Sequence, residues 1–175
     1  IVWSANFQKG LDAYKNGNFT NALREWRPLA EQGNDDAQFI LGLMYKNGEG
    51  VPQSNKTAVK WFTLSSDQGN VNAQFALGVL YQSGLGVKID YNKSYELNFK
   101  AAMQGHNKAK YNAANLIIGE QIDERDMKIA LKFLEEARVS GQIDRGMAEN
   151  SIGWIYLTGV GGIKTNYKKS LYWGI

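Results

Sequence analysis

His106 is the one histidine in the chain, and there is no cysteine. A hydrolytic centre built on His106 would need a nucleophile beside it and a third group to orient the ring. A metal site would need further ligands at the right spacing. The neighbouring stretch Gly105-His106-Asn107-Lys108 supplies neither set, so His106 reads as an exposed loop residue. Carboxylates cluster in Glu120-Gln-Ile-Asp-Glu-Arg-Asp126. Acid–base work needs a carboxylate pair in a shielded pocket, whereas this run reads as a solvated turn with Asp126 placed to cap a helix. The loops Gly48-Glu-Gly50-Val51 and Gly84-Leu-Gly86-Val87 have the look of phosphate cradles. A phosphate loop follows a strand, opens a helix and carries Gly-Lys-Ser/Thr or a third glycine at fixed spacing. These loops follow helical patterns and lack both features, which leaves turn geometry.

Basic residues gather at Lys88, Lys93, Lys100, Lys108 and Lys110, and again at Lys164, Lys168 and Lys169, with Asp90 and Glu96 interleaved in the first set. This is the pattern of a solvated face rather than a nucleic-acid track. Asn18, Asn55 and Asn92 stand in glycosylation sequons, as chance allows in a chain rich in Asn, Ser and Thr. No catalytic, cofactor-binding or metal-ligating residue is assigned, and the expectation is a protein that is not an enzyme.

Composition agrees with that reading. The 175 residues are 43% hydrophobic, enough for a sizeable core, and a net charge of +3 is too weak to imply nucleic acid. With two prolines, long helices are permitted; without cysteine, disulfides and thiolate metal sites are excluded. No apolar run reaches 18 residues, so no membrane span is expected in this segment. The opening Ile-Val-Trp-Ser-Ala lacks the basic region and apolar run of a signal peptide. The chain starts without Met and stops inside a repeat, so trimmed ends are expected and the compartment stays open.

The elements that must position these residues are set by four glycines, Gly33, Gly69, Gly105 and Gly141, each 36 residues from the next. Glu-Gln-Gly-Asn-Asp-Asp-Ala-Gln-Phe at 31–39 nearly recurs as Asp-Gln-Gly-Asn-Val-Asn-Ala-Gln-Phe at 67–75. A fixed period of this length marks a stacked repeat array. Residues 1–35 read as a helix pair: about Ser4 to Asn16 with Ser4 as N-cap, a break at Gly17-Asn18, then a stripe of Ala22, Leu23, Trp26, Leu29 and Ala30. Repeats follow at 36–71, 72–107 and 108–146, with a truncated fourth at 147–175. Asn18, Ser54, Asp90, Asp126 and Asn166 each stand four residues before the small residue of a second helix, and all are good N-cap types. Gly42, Gly78, Ala114 and Gly153 fall mid-helix, where a neighbouring helix must approach closely. Tyr45, Tyr81, Tyr156, Trp61, Phe133 and Trp173 are expected to fill the space between pairs. Three residues are inserted between Gly141 and Ala148, the one break in the period and the place to look for a special site.

Gly10, Tyr14, Gly17, Phe19 and Ala22 fall at the spacing of the tetratricopeptide repeat. From residue 36 onward, Ala-x-x-x-Leu-Gly-x-x-Tyr-x-x-Gly-x-Gly-Val, then Ala-x-x-Trp-Phe, then Gly, resembles the Sel1-like repeat (SLR) family. The pattern is clear in the first two such repeats and in the first half of the fourth; in the third, Ile117 replaces Tyr, and Glu120 and Ile122 replace the loop glycines. The resemblance implies an all-α fold, a right-handed α-solenoid of antiparallel helix pairs (an α-α superhelix), whose concave groove binds proteins or peptides. It also leans towards an exported or cell-envelope protein of bacteria.

On the first helix of each pair, positions 37, 41, 44 and 45 form the core stripe and 36, 39, 43 and 46 an adjacent face. With the family's geometry that face lies in the groove. Its members are Asp36, Phe39, Leu43 and Lys46; Asn72, Phe75, Val79 and Gln82; Lys108, Tyr111, Asn115 and Ile118; and Met147, Asn150, Trp154 and Leu157. Phe39, Leu43, Lys46, Phe75, Val79, Gln82, Tyr111, Asn115, Asn150 and Trp154 are the candidate partner-binding residues, with Phe39, Phe75 and Tyr111 equally placed to be core. The function expected is a non-enzymatic scaffold for a protein or peptide partner. The alternatives are a hydrolase-like activity on a peptide or cell-wall fragment, and a structural segment of a longer repeat protein.

Overall fold

The computed structural model describes residues 2–119, 126–143 and 145–173, and these are helical throughout apart from turns. The helices are α1 (Val2–Lys15), α2 (Phe19–Glu31), α3 (Asp35–Asn47), α4 (Asn55–Asp67), α5 (Val71–Ser83), α6 (Tyr91–Met103), α7 (Asn107–Ile118), α8 (Met127–Val139), α9 (Arg145–Thr158) and α10 (Tyr167–Tyr172). They group in two compact units, Ile1–Ile89 with α1–α5 and Asp90–Ile175 with α6–α10. Within each unit, every helix packs on the one before it and the one after it. That is the all-α solenoid arrangement of helix pairs which the 36-residue period predicts. One correction falls at the start: α1 already runs from Val2, so Ser4 lies inside the helix and is not its cap.

The core of the first unit forms where the α2 stripe meets the α3 stripe. Ala22, Trp26, Leu29 and Ala30 pack with Ala37, Leu41 and Met44, all of them buried. The Trp26 indole sits across α1, donating its Nε1–H to the Phe7 carbonyl at 3.1 Å. A Cβ on Gly10 would collide with that ring, and one on Gly42 would collide with Phe62, so these mid-helix glycines are the clearance for an aromatic neighbour. Tyr45 is half-buried instead of joining the core stripe; its hydroxyl accepts from Arg27 Nη2 at 3.1 Å. In the second unit, Ala109, Ala113, Leu116 and Ile117 face Met127, Ala130, Phe133, Leu134 and Ala137, with Ala148, Ile152 and Ile155 beyond. Ile117, where the pattern has Tyr, is fully buried.

All five expected caps form. The side chains of Asn18, Ser54, Asp90, Asp126 and Asn166 accept from the backbone N–H of Asn21, Thr57, Lys93, Ile129 and Lys169 respectively. Each is worth about 1 kcal/mol of helix stability.

The joints between pairs are tighter than the sequence suggests. At the end of α2, Gly33 N–H bonds to Ala30 O at 3.1 Å and Asn34 N–H to Leu29 O at 3.0 Å, with Gly33 at φ +95°. This is a Schellman ending. Asn34 then caps α3, accepting from Ala37 N–H at 2.8 Å. One residue thus closes one helix and opens the next. Gly69-Asn70 and Gly105-His106 repeat the arrangement. The expectation of an exposed loop histidine is therefore corrected: His106 is half-buried, and its Nδ1 accepts from Ala109 N–H at 3.1 Å. Burial pushes its pKa below the usual histidine range, with Lys108 a smaller contributor in the same direction.

The glycine loops inside the pairs have a second job. The second glycine of each lies against the first residue of the preceding pair's second helix. A Cβ on Gly50 would stand 2.9 Å from the Phe19 carbonyl carbon, and one on Gly161 2.8 Å from Met127 Cβ. On Gly86 it would collide with the Asn55 backbone. The loops are wedges between pairs, as well as turns. In the third repeat the corresponding residues Glu120–Arg125 lie outside the described ones, including the replacements at Glu120 and Ile122 and most of the acidic run.

Candidate partner-binding faces and a divergent joint

In the first unit, α3 and α5 carry the predicted face at matching positions. Phe39, Leu43 and Lys46 on α3, and Phe75, Val79 and Gln82 on α5, are all half-buried. Phe39 shares its ring with the core, 5.8 Å from the Phe62 centroid. At the edge, the Asn70 amide donates to Asp35 Oδ2 at 3.0 Å and Asp36 Oδ1 at 3.1 Å, so the exposed Asp36 is tied to the start of α5. In the second unit, α7 presents half-buried Tyr111, Asn115 and Ile118, and α9 presents exposed Met147, Asn150 and Trp154. Trp154 is 38% exposed although Ile152 and Ile155 beside it are fully buried. Chemically these side chains offer apolar contact, amide hydrogen bonds and a lysine.

Half of the lysines in the two basic groups are engaged. Lys93 and Lys100 both pair with Glu96, at 2.8 and 2.7 Å, and Lys110 pairs with Glu136 at 2.7 Å. Hydrogen bonds from Lys100 and then Lys93 hold the Glu96 carboxyl below its usual range. Lys169 lies 4.6 Å over the Tyr156 ring. In the glycine loop, Glu49 Oε2 accepts from the Tyr14 hydroxyl at 2.8 Å, a link between two pairs. Burial first, and Glu49 second, push the Tyr14 pKa up. Among the described residues, no group of His, Asp or Glu is placed to hold a metal ion. None of the helices there is long and apolar enough to cross a membrane.

The Gly141 joint departs from the other three. In register, Arg138 stands where Ala30, Ser66 and Ala102 stand, at 1%, 7% and 2% exposure. Glu149 stands where Gln38 and Gln74 do. In the first joint, Gln38 Nε2 donates to Ala30 O at 3.0 Å. Here Arg138 Nη1 lies 3.6 Å from Glu149 Oε1, and the guanidinium lies 4.9 Å over the Trp173 ring. An open cavity of about 400 Å³ is lined by Arg138, Val139, Gly141 and Ile143. The insertion made this joint visible in the sequence; the role of Arg138 was not, because it looks like a basic residue in a helix's last turn. The caps Asn34 and Asn70 were legible in principle as Asn after Gly, but His106 is an uncommon cap.

Stacked helix pairs, capped at the start of every second helix and wedged by glycine loops, define the class: a helical-repeat protein of the tetratricopeptide-like kind. The Sel1 repeat model matches residues 35–70, 71–106 and 146–174. The chain belongs to the Sel1 repeat family. It is 30% identical over 149 residues, 77% of this chain, to an exopolysaccharide production negative regulator of Rhizobium leguminosarum bv. viciae. It is similar in structure to a protective antigen of uropathogenic Escherichia coli with an SLR fold, at 25% identity, 98% of this chain and a TM-score of 0.86. A Sel1 repeat protein of Oxalobacter formigenes matches at 28% identity, 96% coverage and a TM-score of 0.80. The chain spans 56% of the length of the first of these relatives, 37% of the second and 65% of the third.

Proposed function

We propose that the chain is a non-enzymatic scaffold that holds an extended protein segment against the first-helix faces of its pairs. Phe39, Leu43, Lys46, Phe75, Val79 and Gln82 make the contact in the first unit, and Tyr111, Asn115, Asn150 and Trp154 in the second. The observation that carries this is the exposure of Trp154: a large aromatic left open to solvent while Ile152 and Ile155 beside it are fully buried. Exposed apolar residues on a rigid face mark a binding surface, and buried aromatic anchors dominate such interfaces. Membership of a repeat family used for protein interaction supports the same reading, and the regulator relative is compatible with a role exercised through binding.

The test is selection of peptides from a random library on the folded chain, followed by titration of the selected peptides. Trp154→Ala with Tyr111→Ala should weaken those that bind the second unit at least tenfold, with unfolding midpoints unchanged. Undiminished binding to the double variant would remove these residues from the interface.

A second reading, a structural segment of a longer repeat protein, rests on α10. Leu171 is 72% exposed and Tyr172 80%, whereas Val59 and Leu131, in register with Leu171, are half-buried. Another repeat seated on α10 would cover them. Adding one should raise the unfolding midpoint by several degrees.

A further inference from the structure

The Gly141 joint carries an arginine, ion-paired to Glu149, whose Nε makes no hydrogen bond among the described residues. A guanidinium has five N–H donors. Arg138 Nε is closed off from solvent and has no hydrogen-bond partner among the described residues. Glu149 Oε1 is its ion-pair partner among the described residues, at 3.6 Å from Nη1, a distance too long for a hydrogen bond. The side chain is only 21% exposed, so its charge is poorly screened. The Trp173 ring lies 4.9 Å from the guanidinium carbon and restrains it. Beside it opens the cavity of about 400 Å³, within the size range of small-ligand sites, with Val139 and Ile143 as apolar walls. In the three regular joints, small buried residues fill the same place.

We propose that this joint is a binding site for a carboxylate borne on a short aliphatic stem. The carboxylate takes the donors of Arg138 that face the cavity, side by side where geometry permits. The stem lies between Val139 and Ile143, and Trp173 holds the guanidinium in place. Two sources share this chemistry, a free small dicarboxylic acid and an acidic side chain of a bound protein. The site is independent of the helix faces assigned to the partner segment.

The experiment uses the chain with 15N-labelled arginine and follows the Arg138 Nε–H resonance. The probes are glutarate, glutaramide, and a short blocked peptide carrying Glu or Gln between alanines. Glutarate or the Glu peptide should shift the resonance saturably, and both amide probes should not. Arg138→Ala should abolish binding measured by calorimetry; it places at 138 the residue that stands at Ala30 and Ala102, so folding should survive. Arg138→Lys should weaken binding about tenfold, because it loses the planar pair of donors. Preference for glutarate assigns the site to a free acid, and preference for the Glu peptide to a partner's side chain. Equal response to acids and amides would overturn the proposal. So would binding retained in Arg138→Ala, or an equal shift at Arg24, whose side chain is 73% exposed.

Discussion

At the scale of single residues, two polar groups break the pattern of their neighbours. Asn98 is fully buried in α6, its Nδ2 bonded to the Ser94 carbonyl at 2.9 Å, while its Oδ1 has no partner among the described residues. The in-register positions hold Trp26, Phe62 and Leu134. An orphaned buried acceptor costs about 1–3 kcal/mol, so Asn98→Leu should raise the urea midpoint, and a fall would show that Asn98 is satisfied. His106 makes a prediction about pH. Its folded pKa is depressed below the unfolded value of about 6.5. Its contribution is therefore complete above that pH and is lost as pH falls through the folded pKa, when the protonated ring can no longer accept from Ala109. The loss should be about 1 kcal/mol, the worth of a cap. His106→Asn, the residue type of the other two joints, should remove that part of the pH dependence between pH 7.5 and 5; identical slopes for both proteins would refute the capping role. Neither feature was legible in the sequence. A lone histidine after a glycine looks like loop, and an asparagine at a core position shows itself only when burial is known.

The elements were far more legible, because several independent signals share one register. The five second-helix caps, the small residues four places on and the joint glycines all pointed to the same helix bounds. What the sequence left hidden is that loop glycines serve two neighbours at once. Gly69 needs only its left-handed backbone, at φ +93° with nothing within 4 Å of an added Cβ. Gly69→Ala should cost about 1–2 kcal/mol. Gly86 has the same backbone demand at φ +76° and, in addition, the Asn55 backbone in its way. Gly86→Ala should therefore cost clearly more than Gly69→Ala in paired urea titrations; equal losses would mean that the wedge yields freely. The partner-binding faces were legible as positions on a helix wheel, while Trp154 stood out only once its exposure was set against buried Ile152 and Ile155.

For the whole molecule, stability in such an array is close to a sum of pair terms and neighbour terms. Trp26→Leu and Ile152→Val lie in different compact units, so their losses should add to within about 0.5 kcal/mol. A larger discrepancy in a double-mutant cycle would point to coupling between units. The joints set a further rule. Where Asn34 or Asn70 both finishes one helix and starts the next, a single added residue would separate the two tasks. A change of length by a small step at those places would lose one of the two tasks, whereas a whole 36-residue block would keep both. The Gly141 joint is the exception. There three residues are inserted, and Arg138 and Glu149 face each other across the joint where the first joint has an alanine and a glutamine.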